Sequence, residues 1–315
     1  RCVGRNAHFY IHINCYLGDI AYPDEICFAF NPTYIKVTDC PALSLVTTVS
    51  NGEKTFPIET MCFSRTAIIN ISRALQLMFD VYNIVEKRSM KVSVDVSDGT
   101  HTFTFTSIAI WGNIAPGERF NGERVIRWFK NYPMKVSIFD GASFQEIEPV
   151  TGTVATLTPW DYTFDYTFHP ASAQIVTCVE DNATDGVFLR WIDRHGRLQY
   201  WLFEKGVKEI KNDDGGQELT MNYVDKKGNS FRSIKRQQYF FSETKLNLCA
   251  PNVDEAEFNM LESILTSPVI DLYHKDAGVG WEPVVIDTST SKRKVTIMQD
   301  FEFKILLPNT NAQML

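Results

Sequence analysis

The side chains that could take part in chemistry are spread along the chain. His8 and His12 are four residues apart, so in a strand both would lie on one face, near Cys15. Imidazole and thiolate groups bind zinc, but a zinc site needs three or four ligands, and the sequence indicates no others. We therefore interpret these histidines as surface or partly buried residues and predict no metal site.

Two pairs of carboxylates are a second candidate. Glu146 and Glu148 are evenly spaced, as are Asp161 and Asp165. Glycoside hydrolysis needs two carboxyl groups about 5 to 9.5 Å apart across a cleft. Carboxylates two or four residues apart on one strand are equally typical of a sheet face that is exposed to solvent. We predict no catalytic residues, with a glycoside hydrolase kept as an alternative.

Established motifs give no further support for an enzyme. The chain contains no GxSxG, HExxH, GxxxxGK[ST] or GxGxxG, which removes the usual signatures of hydrolases, zincins and nucleotide-binding proteins. We predict no cofactor. The residues Asp213-Asp214-Gly215-Gly216 could offer oxygen ligands to calcium, but they lack the EF-hand register. Residues 206–216 instead indicate a flexible loop or hairpin tip.

Aromatic side chains suggest a different class of site, because flat rings stack on sugars. The tryptophans considered are Trp111, Trp160, Trp191, Trp201 and Trp281. Strand alternation would bury most of them in a two-sheet core. A carbohydrate-binding surface protein is therefore a second alternative.

Length and charge limit the function further. A chain of 315 residues exceeds the usual size of one core, and we predict two domains, 1–155 and 156–315. A net charge of −7 argues against nucleic acid as a partner. No apolar run approaches the ~20 residues of a membrane span. The first residue is Arg1, so the sequence leaves open whether a signal peptide was removed.

The seven cysteines are odd in number and lack CxxC spacing. This pattern favours free thiols or a reducing compartment over a disulfide framework. One or two bridges among Cys2, Cys15, Cys27 and Cys40 are the alternative if the protein is exported.

The elements that must position these side chains are mostly strands. In residues 186–203, apolar side chains recur at every second position on both sides of the polar turn at 193–196. This pattern predicts a hairpin. Residues 90–110 predict another, with a β-bulge or strand break near Thr106-Ser107, where the apolar positions shift from odd to even residues. The alternation from Asp161 to Phe168 predicts one strand with a buried aromatic face. Residues 287–294 predict an exposed turn before the final strands around 295–307.

Helical periodicity occurs in three places. Residues 71–79 follow a candidate N-cap at Asn70, and residues 125–132 end before Pro133. Residues 254–265 begin with Asp254 and Glu257, which resemble a capping box. The sequence therefore predicts a mostly β protein with a few short helices, built as two β-sandwich-like domains.

Five segments carry a family resemblance that runs from residue 31 to residue 308. They are Asn31-Pro32-Thr33-Tyr34-Ile35-Lys36-Val37, Trp128-Phe129-Lys130-Asn131-Tyr132-Pro133, the hairpin at 186–203, Leu261-Glu262-Ser263-Ile264-Leu265-Thr266-Ser267-Pro268-Val269 and Phe301-Glu302-Phe303-Lys304-Ile305-Leu306-Leu307-Pro308. Through them the chain resembles tail structural proteins of phages and prophages of Bacteroidetes-type bacteria, comparable to the distal tail class.

The resemblance implies a non-enzymatic virion component with β-sandwich domains, assembled in the host bacterial cytoplasm. Its expected partners are copies of itself in a ring, for example a hexamer, and other tail proteins. No catalytic, cofactor-binding or metal-binding residues accompany this role. Ring-forming proteins cover sheet edges through repeated heterologous contacts, which suits a chain rich in short strands.

Overall fold

The computed structural model describes residues 11–23, 25–164, 167–224, 231–275, 280–287 and 298–307. Within these ranges the chain forms mainly strands, several sheets and two short α-helices. The prediction of a mostly β, sandwich-like protein is therefore confirmed. In the described part, none of the helices is long and apolar enough to cross a membrane.

The chain divides into two compact units. One comprises Arg1–Ala183 with Trp191–Tyr200, and the other comprises Thr184–Arg190 with Trp201–Leu315. This division differs from the predicted domains 1–155 and 156–315. Turn-forming residues around 150–160 lie inside the first unit, because the strand that begins at Gly152 pairs with one that ends at Asp181.

The first half of the first unit contains two sheets. Its elements are β1 (Ile11–Cys15), β2 (Gly18–Tyr22), β3 (Ile26–Phe28), β4 (Tyr34–Thr38), β5 (Ser44–Ser50), β6 (Thr55–Met61), β7 (Ala67–Asn70), α1 (Ser72–Met78), β8 (Ser89–Ser97) and β9 (Thr102–Ile110). The four-stranded sheet has the order β1-β2-β4-β7, and the five-stranded sheet has the order β3-β9-β8-β5-β6. Both sheets bury one apolar face, with Ile35 and Val37 in the first and Leu45 and Val94 in the second.

The rest of the first unit forms three small sheets. Its strands are β10 (Arg119–Phe120), β11 (Arg124–Phe129), β12 (Val136–Phe139), β13 (Phe144–Ile147), β14 (Gly152–Leu157), β15 (Trp160–Tyr162), β16 (Phe168–Pro170) and β17 (Gln174–Asp181). The sheets are β10-β15-β16, β11-β17-β14 and β12-β13. Phe120 and Phe139 pack with Phe28 and Ile110 in one buried cluster.

The second unit is built on most of a seven-stranded sheet; residues 191–192 and 198–200, at one end of two of its strands, belong to the first unit. Its elements are β18 (Val187–Ile192), β19 (Leu198–Val224), β20 (Phe231–Val253), α2 (Glu255–Glu262), a 3-10 helix (Ser263–Thr266), β21 (Ile270–His274), β22 (Gly280–Pro283), β23 (Val285–Ile286) and β24 (Gln299–Leu307). The strand order is β22-β21-β18-β19-β20-β24-β23. Strands β19 and β20 are much longer than their neighbours.

Both predicted hairpins are confirmed, at β8–β9 and β18–β19. The β-bulge or strand break predicted near Thr106-Ser107 is wrong, because the β8–β9 register is continuous from Thr102 to Ile110. Ser107 and Ala109 lie on the same face of the strand as Phe103 and Phe105, and both are buried. Ile108 and Ile110 face the other side, where a second apolar cluster covers them.

Two of the three predicted helices are confirmed. Helix α1 has its N-cap at Ile71, so the predicted N-cap at Asn70 is wrong by one residue, although the Asn70 side chain accepts a hydrogen bond from Ser72 N. Helix α2 has the predicted capping box, with Asp254 Oδ1 accepting from Glu257 N at 2.8 Å. The helix predicted at 125–132 is wrong, since residues 124–129 form β11 in parallel register with β17. A short apolar run fits both periods, and here the available partner strand decides the structure.

Two other predictions change. The single strand predicted from Asp161 to Phe168 is instead the two short strands β15 and β16, and Phe164 between them is exposed. Residues 206–216 form part of strand β19, where a loop or hairpin tip was predicted. Pairing with β20 offsets the weak strand propensity of glycine and aspartate, and register shifts occur at 205/208 and 215/218. The predicted turn at 287–294 lies outside the described residues except for Asp287.

Candidate functional site

The polar turn between β18 and β19 is the densest group of buried charged residues in the first unit. Asp193 is 6% exposed and His195 is 7% exposed. The sequence shows a polar turn here but not its burial. One signal in the sequence does indicate this burial. Residues 187–192 are all apolar except Arg190, so both faces of this strand carry apolar side chains. A strand that is apolar on both faces is typically covered on both faces.

Asp193 organises this turn through both carboxylate oxygens. Oδ1 accepts hydrogen bonds from the backbone N–H groups of His195 and Arg197, each at 2.9 Å. Oδ2 accepts from Arg197 Nε and from Gln199 Nε2, each at 2.8 Å. Burial opposes ionisation of the carboxyl group, but Arg197 and these hydrogen bonds outweigh burial and lower its pKa. The carboxylate is therefore charged and fully engaged in holding the turn.

Two glycines allow the turn to approach the end of β9. A Cβ at Gly112 would lie 2.3 Å from Arg194 O, which no side chain could occupy. Gly196 has a φ of +81°, and a Cβ there would lie 2.9 Å from Trp111 O. The close approach permits the hydrogen bond from Asn113 N to Arg194 O, at 2.6 Å.

His195 lies between aromatic rings and arginines. Its ring centroid is 6.3 Å from that of Phe28 and 6.1 Å from that of Phe120. Burial, reinforced by Arg197, lowers the pKa of the imidazole to about 3. Nδ1 faces Arg197, which can only donate, so the neutral ring carries its proton on Nε2. Nε2 lies 3.5 Å from Glu118 Oε2, which is long for a hydrogen bond.

Further arginines extend the polar group into the β12–β13 region. Arg88 forms an ion pair with Glu146 and donates to Ser137 Oγ at 3.2 Å. Arg124 donates to the Ser137 carbonyl, and burial beside Arg197 lowers its pKa to about 9. Ionic groups of this kind cost free energy to desolvate and are retained where each finds a partner. The pairing is incomplete, because Arg88 Nε, Arg124 Nη1 and Glu146 Oε2 are buried without a hydrogen-bond partner among the described residues.

A cavity of about 630 Å³ opens in the first unit beside this polar group. Six of its lining residues are Phe28, Phe30, Tyr34, Tyr162, Phe168 and Arg194. Two of its polar side chains are already paired: Asn31 both donates to and accepts from the backbone of Ile114, and Arg194 forms an ion pair with Glu118. The walls are therefore suited to apolar contact.

The lining offers little for catalysis. It includes the thiol of Cys27, and burial raises the pKa of that thiol to about 11, so the thiol stays protonated at neutral pH. Among the residues that the structure describes, the lining contains no histidine or carboxylate. A nucleophile needs an adjacent base or a lowered pKa, and this arrangement provides neither.

The three described carboxylates among those considered from sequence each form an ion pair with a basic side chain. Glu146 forms its ion pair with Arg88, and Glu148 is exposed and lies 3.2 Å from Lys135. Asp161 pairs with Arg119 on the surface, which lowers the pKa of the aspartate. Asp165 lies outside the described residues, as does His8. In the described ranges, no group of three or more His, Cys, Asp or Glu side chains could hold a metal ion.

The tryptophans are placed in packing roles. Trp191 and Trp201 are buried, and Trp111 and Trp160 pack against the rings of Phe30 and Phe120. The Arg190 guanidinium stacks over the Trp281 ring, with Cζ 4.3 Å from the ring centroid. These five residues do not form a row of exposed rings, which a sugar-binding face would need.

Cysteine placement differs from the bridges considered from sequence. The described cysteines, including Cys15, Cys27 and Cys40, are free thiols. Cys2 lies outside the described residues.

No protein-family model matches the chain, and no curated protein matches it either.

Proposed function

We propose that this protein is a non-enzymatic structural component of a phage or prophage virion, part of the tail, which assembles with copies of itself into a ring. It would be assembled in the host bacterial cytoplasm and would also contact other tail proteins. The proposal combines the resemblance carried by the five sequence segments with one structural observation, the long two-stranded ribbon formed by β19 and β20.

The ribbon extends beyond the rest of its sheet. Strand β24 pairs with β20 only from Thr244 to Val253, and β18 spans six residues at the start of the hairpin. Residues 211–224 and 231–243 stay paired with each other, from Lys211↔Glu243 to Val224↔Phe231, with one register shift between Gly215 and Glu218. Among the described strands, no third strand accompanies this stretch.

A ribbon of this length favours a partner. At roughly 3.3 Å per residue it extends about 40 Å, and each strand has one outer edge of backbone N–H and C=O groups. An isolated two-stranded hairpin is marginally stable in water, and a free edge is a template for another chain. Pairing with a sheet edge of a neighbouring copy would complete the ladder. Repeated head-to-tail contacts of this type close into rings.

Outward apolar side chains support the same role. On the β11-β17-β14 sheet, Val125, Ile175 and Val179 are substantially exposed. Their partners across the sheet place them on the face opposite the buried Val176 and Cys178. Exposed apolar patches on a sheet face are typical of protein contacts. The paired, structural use of the buried charges agrees with a role that requires no catalysis.

The test is the assembly state of the full chain and of a ribbon-shortened variant. Ile210 and Thr244 are register partners, so replacing residues 211–243 with Asn-Gly closes the hairpin with a two-residue turn. We expect rings of uniform symmetry for the full chain by electron microscopy and mass photometry. The shortened variant should be monomeric, with an unchanged near-ultraviolet circular dichroism spectrum apart from the lost ribbon aromatics.

A matched control shortens a different hairpin. Ser50 and Thr55 are register partners in β5–β6, so replacing residues 51–54 with Asn-Gly should leave the rings intact. A full chain that stays monomeric at high concentration would contradict the proposal. Equal assembly of the full chain and the ribbon-shortened variant would show that the ribbon is not the contact.

A further inference from the structure

Cys40 and Cys62 bring two thiols together in the first unit. Their Sγ atoms are 3.5 Å apart, although the residues are 22 positions apart in sequence. Cys40 is buried and Cys62 is partly exposed. Neither residue belongs to the buried polar group or to the lining of the cavity.

The backbone on both sides of this pair is held in place. Cys40 lies in the connection from β4 to β5, and its N–H donates to Arg65 O at 3.0 Å. Cys62 follows β6, and its N–H donates to Leu43 O at 2.8 Å, which continues the β5–β6 ladder. The two thiols therefore face each other where the chain passes between the four-stranded and the five-stranded sheet.

We propose that Cys40 and Cys62 are a site of intramolecular disulfide formation that staples these two connections. A disulfide has an Sγ–Sγ distance of about 2.05 Å, so small side-chain rotations at the two residues would close the gap. The bond would link the four-stranded and the five-stranded sheet of the first unit at the point where the chain crosses between them in both directions. This inference does not depend on the proposed function.

The oxidant in this step is an external disulfide, such as oxidised glutathione. The Cys62 thiolate, the more accessible of the two, attacks one sulfur of that disulfide and releases one thiol. Cys40 then loses its proton and attacks Sγ of Cys62, so the Cys40–Cys62 bond forms and the second external thiol leaves. Two electrons pass from the protein thiols to the external disulfide, which is reduced to two thiols.

The surroundings set the rate and the effect of this bond. Burial, together with the neighbouring Cys40 thiol, raises the pKa of Cys62 to about 11. The reactive thiolate is therefore scarce at neutral pH, and oxidation should accelerate as the pH rises. Closing a loop of this length constrains the unfolded chain, which is the main route by which disulfides stabilise proteins.

The test is oxidation of the native chain with oxidised glutathione at pH 8.5, followed by non-reducing peptide mapping. We expect a peptide pair joined through Cys40 and Cys62, with a mass about 2 Da below that of the free peptides. The first unit should show a rise in Tm on the order of 5 °C. Dithiothreitol should reverse both changes.

Three variants make the result specific. Cys40→Ser should accumulate a mixed disulfide of glutathione on Cys62, because the resolving thiol is missing. Cys62→Ser should show no cross-link, and Cys27→Ser, which removes another buried thiol, should retain the 40–62 cross-link. Absence of the cross-link in the native chain would overturn the proposal. So would a glutathione adduct that persists on Cys62 while Cys40 is present.

Discussion

At the scale of single residues, His195 shows how burial changes an ordinary ionisable group. The imidazole is enclosed by Phe28 and Phe120 and faces Arg197. A proton on this ring would be both desolvated and close to positive charge, so the folded protein holds it neutral. The same residue in an exposed turn would titrate near neutral pH.

This burial predicts a specific pH dependence of stability. The folded-state pKa of about 3 lies below the ordinary value of 6.5, so the unfolded chain takes up the proton first as the pH falls. The contribution of neutral His195 to the free energy of unfolding is therefore complete above pH 6.5 and is lost progressively toward pH 3. From the linkage relation, we expect a loss of about 2 kcal/mol between pH 6.5 and pH 4.5.

His195→Gln should remove most of that loss, because glutamine does not titrate. Urea unfolding monitored at pH 6.5, 5.5 and 4.5 measures the difference. His101→Gln is the matched control, since His101 is the exposed histidine of the β8–β9 turn, and its profile should follow the native chain. Parallel pH profiles for the native chain and His195→Gln would contradict the assignment.

At the scale of elements, the β8–β9 and β18–β19 turns use the same local device in different surroundings. Asp98 Oδ1 accepts from the N–H groups of Thr100 and His101 on the surface. Asp193 Oδ1 also accepts from two N–H groups, in a turn one residue longer, but Asp193 is buried and also engages Arg197. The two carboxylates therefore play similar local roles, but losing the buried one costs more free energy of unfolding.

Asp193→Ala should therefore destabilise the first unit by about 3 kcal/mol or more, because it leaves a buried guanidinium and backbone donors unpaired. Asp98→Ala should lower stability much less, since water replaces the carboxylate. Asp193→Asn keeps an acceptor but loses the charge and should fall between the two. Urea denaturation at pH 7 measures all three. Equal losses for Asp193→Ala and Asp98→Ala would show that the buried ion pair adds nothing.

At the scale of the whole molecule, the chain does not complete its first unit and then its second. Residues 191–200 belong to the first unit, although 184–190 belong to the second. Sequence reasoning placed a junction near residues 150 to 160 from turn-forming residues alone. A boundary is determined by which segments share a core, and turn residues also occur within one core.

The division predicts how fragments behave. A fragment of residues 1–155 lacks β17, which pairs with both β11 and β14, and it also lacks the buried turn at 193–197. We expect it to expose apolar surface and to bind a hydrophobic dye. A fragment of residues 1–204 retains both features and should give a better dispersed amide spectrum by nuclear magnetic resonance. A well-folded 1–155 fragment would contradict this division.

The sequence by itself determined the features that depend on neighbouring residues. Alternation predicted the β8–β9 and β18–β19 hairpins, and Asp254 with Glu257 predicted the start of α2, because each of these signals acts over a few residues. The mostly β class follows from the same local patterns.

Only the tertiary structure decided what depends on distant partners. Residues 124–129 are a strand because β17 pairs beside them, and residues 206–216 are extended because β20 does. Asp193 and His195 are buried because the end of β9, with Gly112, leaves room for their turn. Cys40 and Cys62 meet because two connections cross at one place. Such outcomes depend on contacts between residues far apart in sequence, and no local pattern encodes which segments will meet.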